Sequence, residues 1–172
     1  MDIKLYREHI KQLAARRDGE GVYNGSADHA AIIVENIFAS AQSNARLLTG
    51  DLNAKVYGTQ AVVQRAKQFL GHSDHKLEIL VEHVTFSPSH PLIEAIGNEE
   101  NVTFYHIPED MSARIPYHFM TGDDDCFRFE KEKNSHAAIA GFGDSDVTKN
   151  LNSIFEVIKS QSKPLDMKEL VE

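Results

Sequence analysis

The chain contains one short run in which a histidine and an aspartate could act together, HFMTGDDD at residues 118–125. An imidazole can serve as a nucleophile or a general base, and a nearby carboxylate can assist it. The same run also suits an ordinary β-hairpin, because turn aspartates hydrogen-bond to their own backbone. His118 and Asp125 are therefore candidate catalytic residues, and a purely structural role is the alternative.

Other groups of side chains could hold a metal ion. The densest histidine group is His72, Asp74 and His75, with Glu82 and His83 further along. A zinc site needs three or four ligands, and no second cluster of matching spacing occurs in the sequence. The acidic residues 123–125 lack the calcium-loop pattern and are expected to form a solvated turn. We predict no bound metal and no cofactor.

Two further patterns give weaker indications of chemistry. Gly141 and Gly143 resemble part of a phosphate-binding loop, but the third glycine and the following Lys-Ser/Thr are missing. Asp144 or Ser145 there suits a helix N-cap better. The single cysteine, Cys126, has no catalytic signature around it and cannot form an internal disulfide.

The composition favours one globular domain in a reducing compartment. The 172 residues are 41% hydrophobic and carry a formal net charge of −8, which opposes binding to a nucleic-acid backbone. No hydrophobic run approaches the roughly 20 residues that span a bilayer, and the N-terminus lacks the layout of a signal peptide. We expect a cytoplasmic protein without a membrane span.

The spacing of hydrophobic residues predicts the elements that must position these side chains. Helices are expected over residues 2–17, 26–38, 59–70, 91–96 and 147–158, with Leu5 and Val147 on the inward stripes of the first and last. Strands are expected over residues 46–49, 77–84, 102–107 and 137–140, and a hairpin over 117–120 and 126–129. This order predicts an α/β fold with a mixed, mostly parallel sheet flanked by helices on both faces. One domain should span residues 1–161, followed by a C-terminal tail or docking segment over 162–172.

The order of elements and the run at 118–125 together resemble one half of the phospholipase D superfamily, over roughly residues 20–160. The family signature is His-x-Lys, then Asp after four intervening residues, on a strand and the turn that follows it. His118 and Asp125 match two of the three signature positions, and Met120 stands where the lysine is expected. In that family two such motifs meet across a two-fold axis, which implies a homodimer here.

The missing lysine bears directly on activity. The resemblance implies that His118 is the nucleophile and that a cation should stabilise the phosphate in the transition state. Removing one such donor typically lowers the rate by about 10²–10³. Arg114 and Arg128 are the nearest candidate replacements. The family's phosphate-binding Gly-Ser-x-Asn segment is matched roughly by residues 141–146, where Ser145 is a candidate phosphate contact flanked by acidic residues.

These observations favour a catalytically weak or inactive phospholipase D-like domain that acts by binding, in a regulatory or adaptor role, with a protein as its partner. The alternative is a homodimeric, metal-independent phosphodiesterase or nuclease that uses His118 as its nucleophile. The net charge disfavours nucleic acid as a partner. The absence of a polybasic segment likewise disfavours a lipid-headgroup module.

Overall fold

One mixed sheet organises residues 1–169, the part of the chain that the computed structural model describes. Its strands are β1 (Gly21–Asn24), β2 (Asn44–Thr49), β3 (Lys76–Val81), β4 (Val102–His106), β5 (His118–Gly122), β6 (Cys126–Glu130), β7 (Ala138–Phe142) and β8 (Lys163–Leu165). The helices are α1 (Ile3–Arg16), α2 (Ala27–Ser40), α3 (Ala54–Tyr57), α4 (Gln60–Leu70), α5 (Pro91–Ile96), α6 (Glu109–Ser112) and α7 (Ser145–Ser160). The strand order across the sheet is β1-β7-β6-β5-β2-β3-β4-β8.

The mixed character of the sheet is confirmed, but its parallel part is smaller than predicted. Only β2 with β3 and β3 with β4 pair in parallel, and the remaining neighbours are antiparallel. Crossover helices produce parallel pairs, whereas tight turns produce antiparallel ones. The chain after β4 returns through the β5–β6 hairpin and β7, and the short edge strands β1 and β8 also run antiparallel to their neighbours.

Successive hydrophobic residues along the strands point to opposite faces of the sheet, and a separate hydrophobic core lies on each face. On β2, Leu47 joins the core beneath α1, α2, α4 and α5, while Leu48 joins the core beneath α7. The helix α2 is buried along most of its length because α1 and α4 pack on either side of it. Leu5 and Val147, predicted to face inward, are exposed, since each lies on the solvent side of the first turn of its helix.

Part of the predicted C-terminal tail belongs to the sheet. Lys163–Leu165 form β8, which pairs antiparallel with β4, and Met167 is buried against the first core. The last three residues of the predicted tail, 170–172, lie outside the described residues. The segment after α7 therefore covers one edge of the domain.

The acidic turn between β5 and β6 fastens the hairpin to the start of β2. Asp123 has a left-handed backbone (φ 49°), and its carboxylate accepts backbone N–H bonds from Gln42, Ser43 and Asn44 at 2.8, 2.9 and 3.0 Å. Burial raises the pKa of Asp123, but these hydrogen bonds outweigh burial and hold the pKa below its ordinary value of 3.8. This turn carboxylate is thus a structural anchor.

Replacing Asp123 with Asn should destabilise the protein by about 1–3 kcal/mol at pH 7, because hydrogen bonds to an ionised acceptor are lost. A lowered folded pKa stabilises the fold above the unfolded pKa, and this contribution disappears as the pH falls through the folded value. The difference in unfolding free energy between wild type and Asp123→Asn should therefore shrink below about pH 4. Urea denaturation at pH 7 and pH 3 measures it.

Asp124→Asn is the matched control, because Asp124 is exposed in the same turn and accepts one side-chain bond, from Asn152 at 3.1 Å. It should cost no more than about 1 kcal/mol. Equal effects of the two substitutions at pH 7 would contradict the anchoring role of Asp123.

Candidate functional site

The start of β5 lies beside the carboxyl ends of the two central parallel strands. His118 precedes Phe119, which pairs with Leu48 near the end of β2, and Glu82 directly follows β3. Gly50 follows β2, and a Cβ atom there would lie 3.3 Å from the His118 ring, so glycine permits this close packing. Pockets in α/β sheets form at such carboxyl ends, at the point where the order of the strands reverses.

The imidazole of His118 lies between two carboxylates. Its Nε2 is 3.2 Å from Glu82 Oε2, and its Nδ1 is 3.9 Å from Glu130 Oε1. The residue is 8% exposed. An ionised carboxylate can only accept a hydrogen bond, so Nε2 donates to Glu82. One ring nitrogen is thus engaged as a donor and the other faces a second carboxylate.

Glu82 is paired on its other side with a lysine from the β6–β7 loop (residues 131–137). Lys133 Nζ lies 2.5 Å from Glu82 Oε1 and donates to the Ser112 carbonyl at 2.9 Å. Burial raises the pKa of Glu82, but the hydrogen bond from His118 and the ion pair with Lys133 outweigh this and hold the pKa below its usual range. Glu82 is therefore ionised at neutral pH.

Glu130 is paired with the buried Arg128. The guanidinium, only 2% exposed, donates to Glu130 Oε2 at 3.3 Å, to Asn24 Oδ1 at 3.1 Å and to the His136 carbonyl at 3.1 Å. All of these acceptors belong to the chain itself. The positive charge of Arg128 therefore lies at the site with its hydrogen bonds already made within the chain.

Two cavities meet at His118. One, of about 390 Å³, is lined by residues that include Asp51, Tyr57, His90, Arg128 and Glu130. The other, of about 520 Å³, is lined by residues that include Glu82, His83, Ser112 and Lys133. Gly50, Asp51, His118 and Asn134 line both, so His118 and its immediate neighbours separate the two spaces.

The β6–β7 loop crosses this site in a strained conformation. Asn134 and His136 both have left-handed backbones, with φ of 65° and 59°. Lys133 fixes one side of the loop, and the carbonyl of His136 fixes the other by accepting from Arg128 and Asn24. Strain of this kind persists only where surrounding contacts over-determine it, and it is common at binding sites.

The sequence-predicted site residues fall in different places. Asp125 lies at the opposite end of the hairpin from His118 and is paired with Arg17, whose Nη2 is 2.6 Å from Asp125 Oδ1. Arg114 is exposed and pairs with Asp110 at 3.3 Å. Ser145 is exposed in the first turn of α7. Among the site residues predicted from the sequence, Arg128 is the one that lines a cavity together with His118.

Met120, in the lysine position of the motif, belongs to a hydrophobic core. It is buried in the core beneath α2, next to Leu47 on β2 and directly across from Arg128 on β6. At the position where the motif has its lysine, this chain thus has a methionine that lies across from a buried arginine.

Three site residues were not assigned to this site from the sequence: Glu82, Glu130 and Lys133. Glu130 was recoverable, because the register of the predicted hairpin places it opposite His118. Glu82 lies in a histidine-rich stretch of the sequence, where nothing distinguishes it as a partner of His118. Lys133 lies in a loop, where no periodic pattern predicts which side chain turns inward.

The described residues contain no group of three or more His, Cys, Asp or Glu side chains placed to hold a metal ion. Cys126 is buried, and burial raises the pKa of its thiol to about 12. Within residues 1–169, no helix is long and apolar enough to cross a membrane.

Comparison with known proteins identifies the fold. No family model and no curated protein matches the chain. Among solved structures, TrmBL2, an archaeal chromatin protein with a novel mode of DNA binding, has a TM-score of 0.65 and 10% sequence identity, over 94% of this chain and 61% of TrmBL2. NucT from Helicobacter pylori has a TM-score of 0.62 and 9% identity, over 86% of this chain and all (100%) of NucT.

Nuc from Salmonella typhimurium, a phospholipase D family member, has a TM-score of 0.59 and 10% identity, over 85% of this chain and 96% of Nuc. The chain therefore has a phospholipase D-like fold, as the motif and the order of elements predicted. It spans less than two thirds of TrmBL2, so similarity to that protein concerns one part of it.

Restoring the family's lysine by Met120→Lys should destabilise the protein by about 3–5 kcal/mol, because the new charge would lie in a hydrophobic core beside Arg128. Met120→Leu keeps the volume and should cost less than about 1.5 kcal/mol. Urea denaturation of both variants measures the difference. A Met120→Lys variant as stable as Met120→Leu would show that position 120 tolerates a cation after all.

Proposed function

We propose that this phospholipase D-like domain acts by binding, in a regulatory or adaptor role, and does not cleave phosphodiesters. The observation that carries the proposal is the position of His118 between Glu82 and Glu130. A histidine nucleophile must present a free nitrogen to phosphorus. Here Nε2 donates to Glu82, and the other nitrogen, Nδ1, faces the negative charge of Glu130 at 3.9 Å, which opposes the approach of a phosphodiester.

Electrostatics at the site also oppose a bound phosphodiester. Like charges about 4 Å apart repel by on the order of 4 kcal/mol at an effective dielectric constant of about 20. That repulsion corresponds to nearly three orders of magnitude in affinity. Lys133 and Arg128 could offset it, but both are already paired with the same two carboxylates.

The alternative, a homodimeric metal-independent phosphodiesterase or nuclease, is supported by the cavity that His118 shares with Arg128. That function requires Arg128 to leave Glu130 and turn its charge toward substrate. It also requires a second His118 from a partner subunit.

A protein is the partner class that the surface favours. The net charge of −8 opposes nucleic acid and anionic membranes alike. Tyr23 and Ile139 are cross-strand partners on β1 and β7, and they remain 64% and 55% exposed. With Phe129, Lys131 and Glu132 they line a cavity of about 370 Å³, here called the β1–β7 patch.

We propose a second copy of the chain as the occupant of the β1–β7 patch. Lys131 and Glu132 carry opposite charges at its border, so the patch is self-complementary in charge, as the contact surface of a two-fold dimer must be. Exposed hydrophobic side chains rimmed by charges are typical of protein interfaces. A homodimer formed through this face differs from the one that the family resemblance implies, because His118 does not line the patch.

Hydrolysis assays test the catalytic side of the proposal. With chelator present, wild type and His118→Ala should show the same background rate on bis-p-nitrophenyl phosphate and on fluorescent single-stranded DNA and RNA. His83→Ala, which removes an exposed histidine from the neighbouring cavity wall, is the matched control. Cleavage lost in His118→Ala but kept in His83→Ala would establish the phosphodiesterase instead.

Sedimentation measurements test the interface. The double substitution Tyr23→Ser and Ile139→Ser should weaken self-association by at least about tenfold, because it removes the hydrophobic centre of the patch. Val157→Ser is the control, since Val157 is 60% exposed on α7, away from the patch. A wild-type protein that is monomeric at high concentration, or a double variant that associates as wild type does, would rule out this interface.

A further inference from the structure

The carboxylate of Glu82 is bound from two sides by a pair of donors. His118 Nε2 contacts Oε2 at 3.2 Å, and Lys133 Nζ contacts Oε1 at 2.5 Å. The side chain of Glu82 is 3% exposed. Oε2 is therefore held by a hydrogen bond from His118 and Oε1 by an ion pair with Lys133, in a largely dry space.

An imidazole N–H and an ammonium group are also donors that bind phosphate oxygens. Carboxylates and phosphates are recognised by the same charge-assisted hydrogen bonds, so donors that hold one can hold the other. The cavity of about 520 Å³ lies directly against Glu82, His118 and Lys133, and gives room for a larger anion on that side. The two groups that now contact Glu82 therefore have the chemistry that a phosphate oxygen needs.

The cation of this pair comes from the β6–β7 loop instead of the motif strand. Lys133 is held by the Ser112 carbonyl at 2.9 Å, and the loop is fastened again at His136. Two left-handed residues, Asn134 and His136, let the backbone make this approach. A buried ion pair of this kind contributes little net stability compared with hydrophobic packing. Stability alone therefore does not account for the arrangement.

We propose that Glu82 is an internal plug that occupies, between His118 and Lys133, a binding site for a phosphate group. While Glu82 is in place, the pocket is closed to phosphate, and this contact is autoinhibitory. A phosphomonoester or phosphodiester group binds once the carboxylate is removed or displaced. The inference rests on the proposed function in one respect, that the pocket of the wild-type protein is closed to phosphate.

Phosphate titration of Glu82 variants tests the plug. Inorganic phosphate is the probe, thermal unfolding of the full chain is the readout, and sodium chloride keeps the ionic strength constant. Glu82→Ala should be half-saturated at a phosphate concentration at least about tenfold lower than wild type. Glu82→Gln, whose amide still fills the space, should respond less than Glu82→Ala. Glu82→Ser replaces the alanine variant if the latter does not fold.

Glu78→Ala is the matched control, because Glu78 lies on β3, which Glu82 directly follows, and is paired with Lys159 at 2.8 Å, so the loss of charge is the same. Adding Lys133→Met to Glu82→Ala should abolish the response. An equal response in Glu78→Ala, a response that survives Lys133→Met, or a folded Glu82→Ala without any response would each overturn the plug. None of these readouts depends on cleavage, so the hydrolysis assays test the proposed function separately.

Discussion

Two ion pairs on either side of one imidazole connect the parts of this protein that matter for its chemistry, and together they form a row of five side chains. Its members are Arg128, Glu130, His118, Glu82 and Lys133. They come from β5, from β6, from the residue after β3 and from the β6–β7 loop, so the row joins both halves of the sheet with the loop that crosses its end. Removing one charge would leave its neighbour buried without a partner, which is costly. The geometry of His118 is therefore set by its neighbours as much as by its own strand.

This row also changes what the family resemblance means for function. A phosphate site needs positive charge that is free to meet an anion, whereas here the positive and negative charges of the chain satisfy each other. The result is a site with the form of an anion pocket but with its donors already used. If Glu82 is the plug proposed above, a ligand of this site competes with an internal carboxylate for those donors.

Much of the fold could be predicted because hydrophobic spacing is a local signal. The helices at residues 59–70 and 91–96 and the hairpin were expected within a few residues of their observed bounds. The edge strands β1 and β8 were harder to predict because such short segments gain their conformation from hydrogen bonds to a neighbouring strand. The parallel share of the sheet was overestimated in part because both of these edge strands pair antiparallel with their neighbours.

The site was predictable only in part. A motif identified His118, and strand register would have added Glu130, since pairing across a hairpin follows from the position of its turn. Glu82 and Lys133 approach through connections whose paths depend on tertiary contacts such as the bond from Lys133 to Ser112. The motif also did not reveal that Asp125 is far from His118. Asp125 lies in the turn of the hairpin, whereas His118 lies at its open end.

The two outer strands of the sheet set how this domain can assemble. β1 has four residues and β8 has three, one of which is Pro164, so each edge offers few backbone groups to a further strand. Growth of the sheet from chain to chain is thereby discouraged, and with it the open-ended aggregation that long edges permit. Contacts between copies are left to side chains on the sheet faces, so a few surface substitutions during evolution could create, retune or abolish assembly without altering the fold.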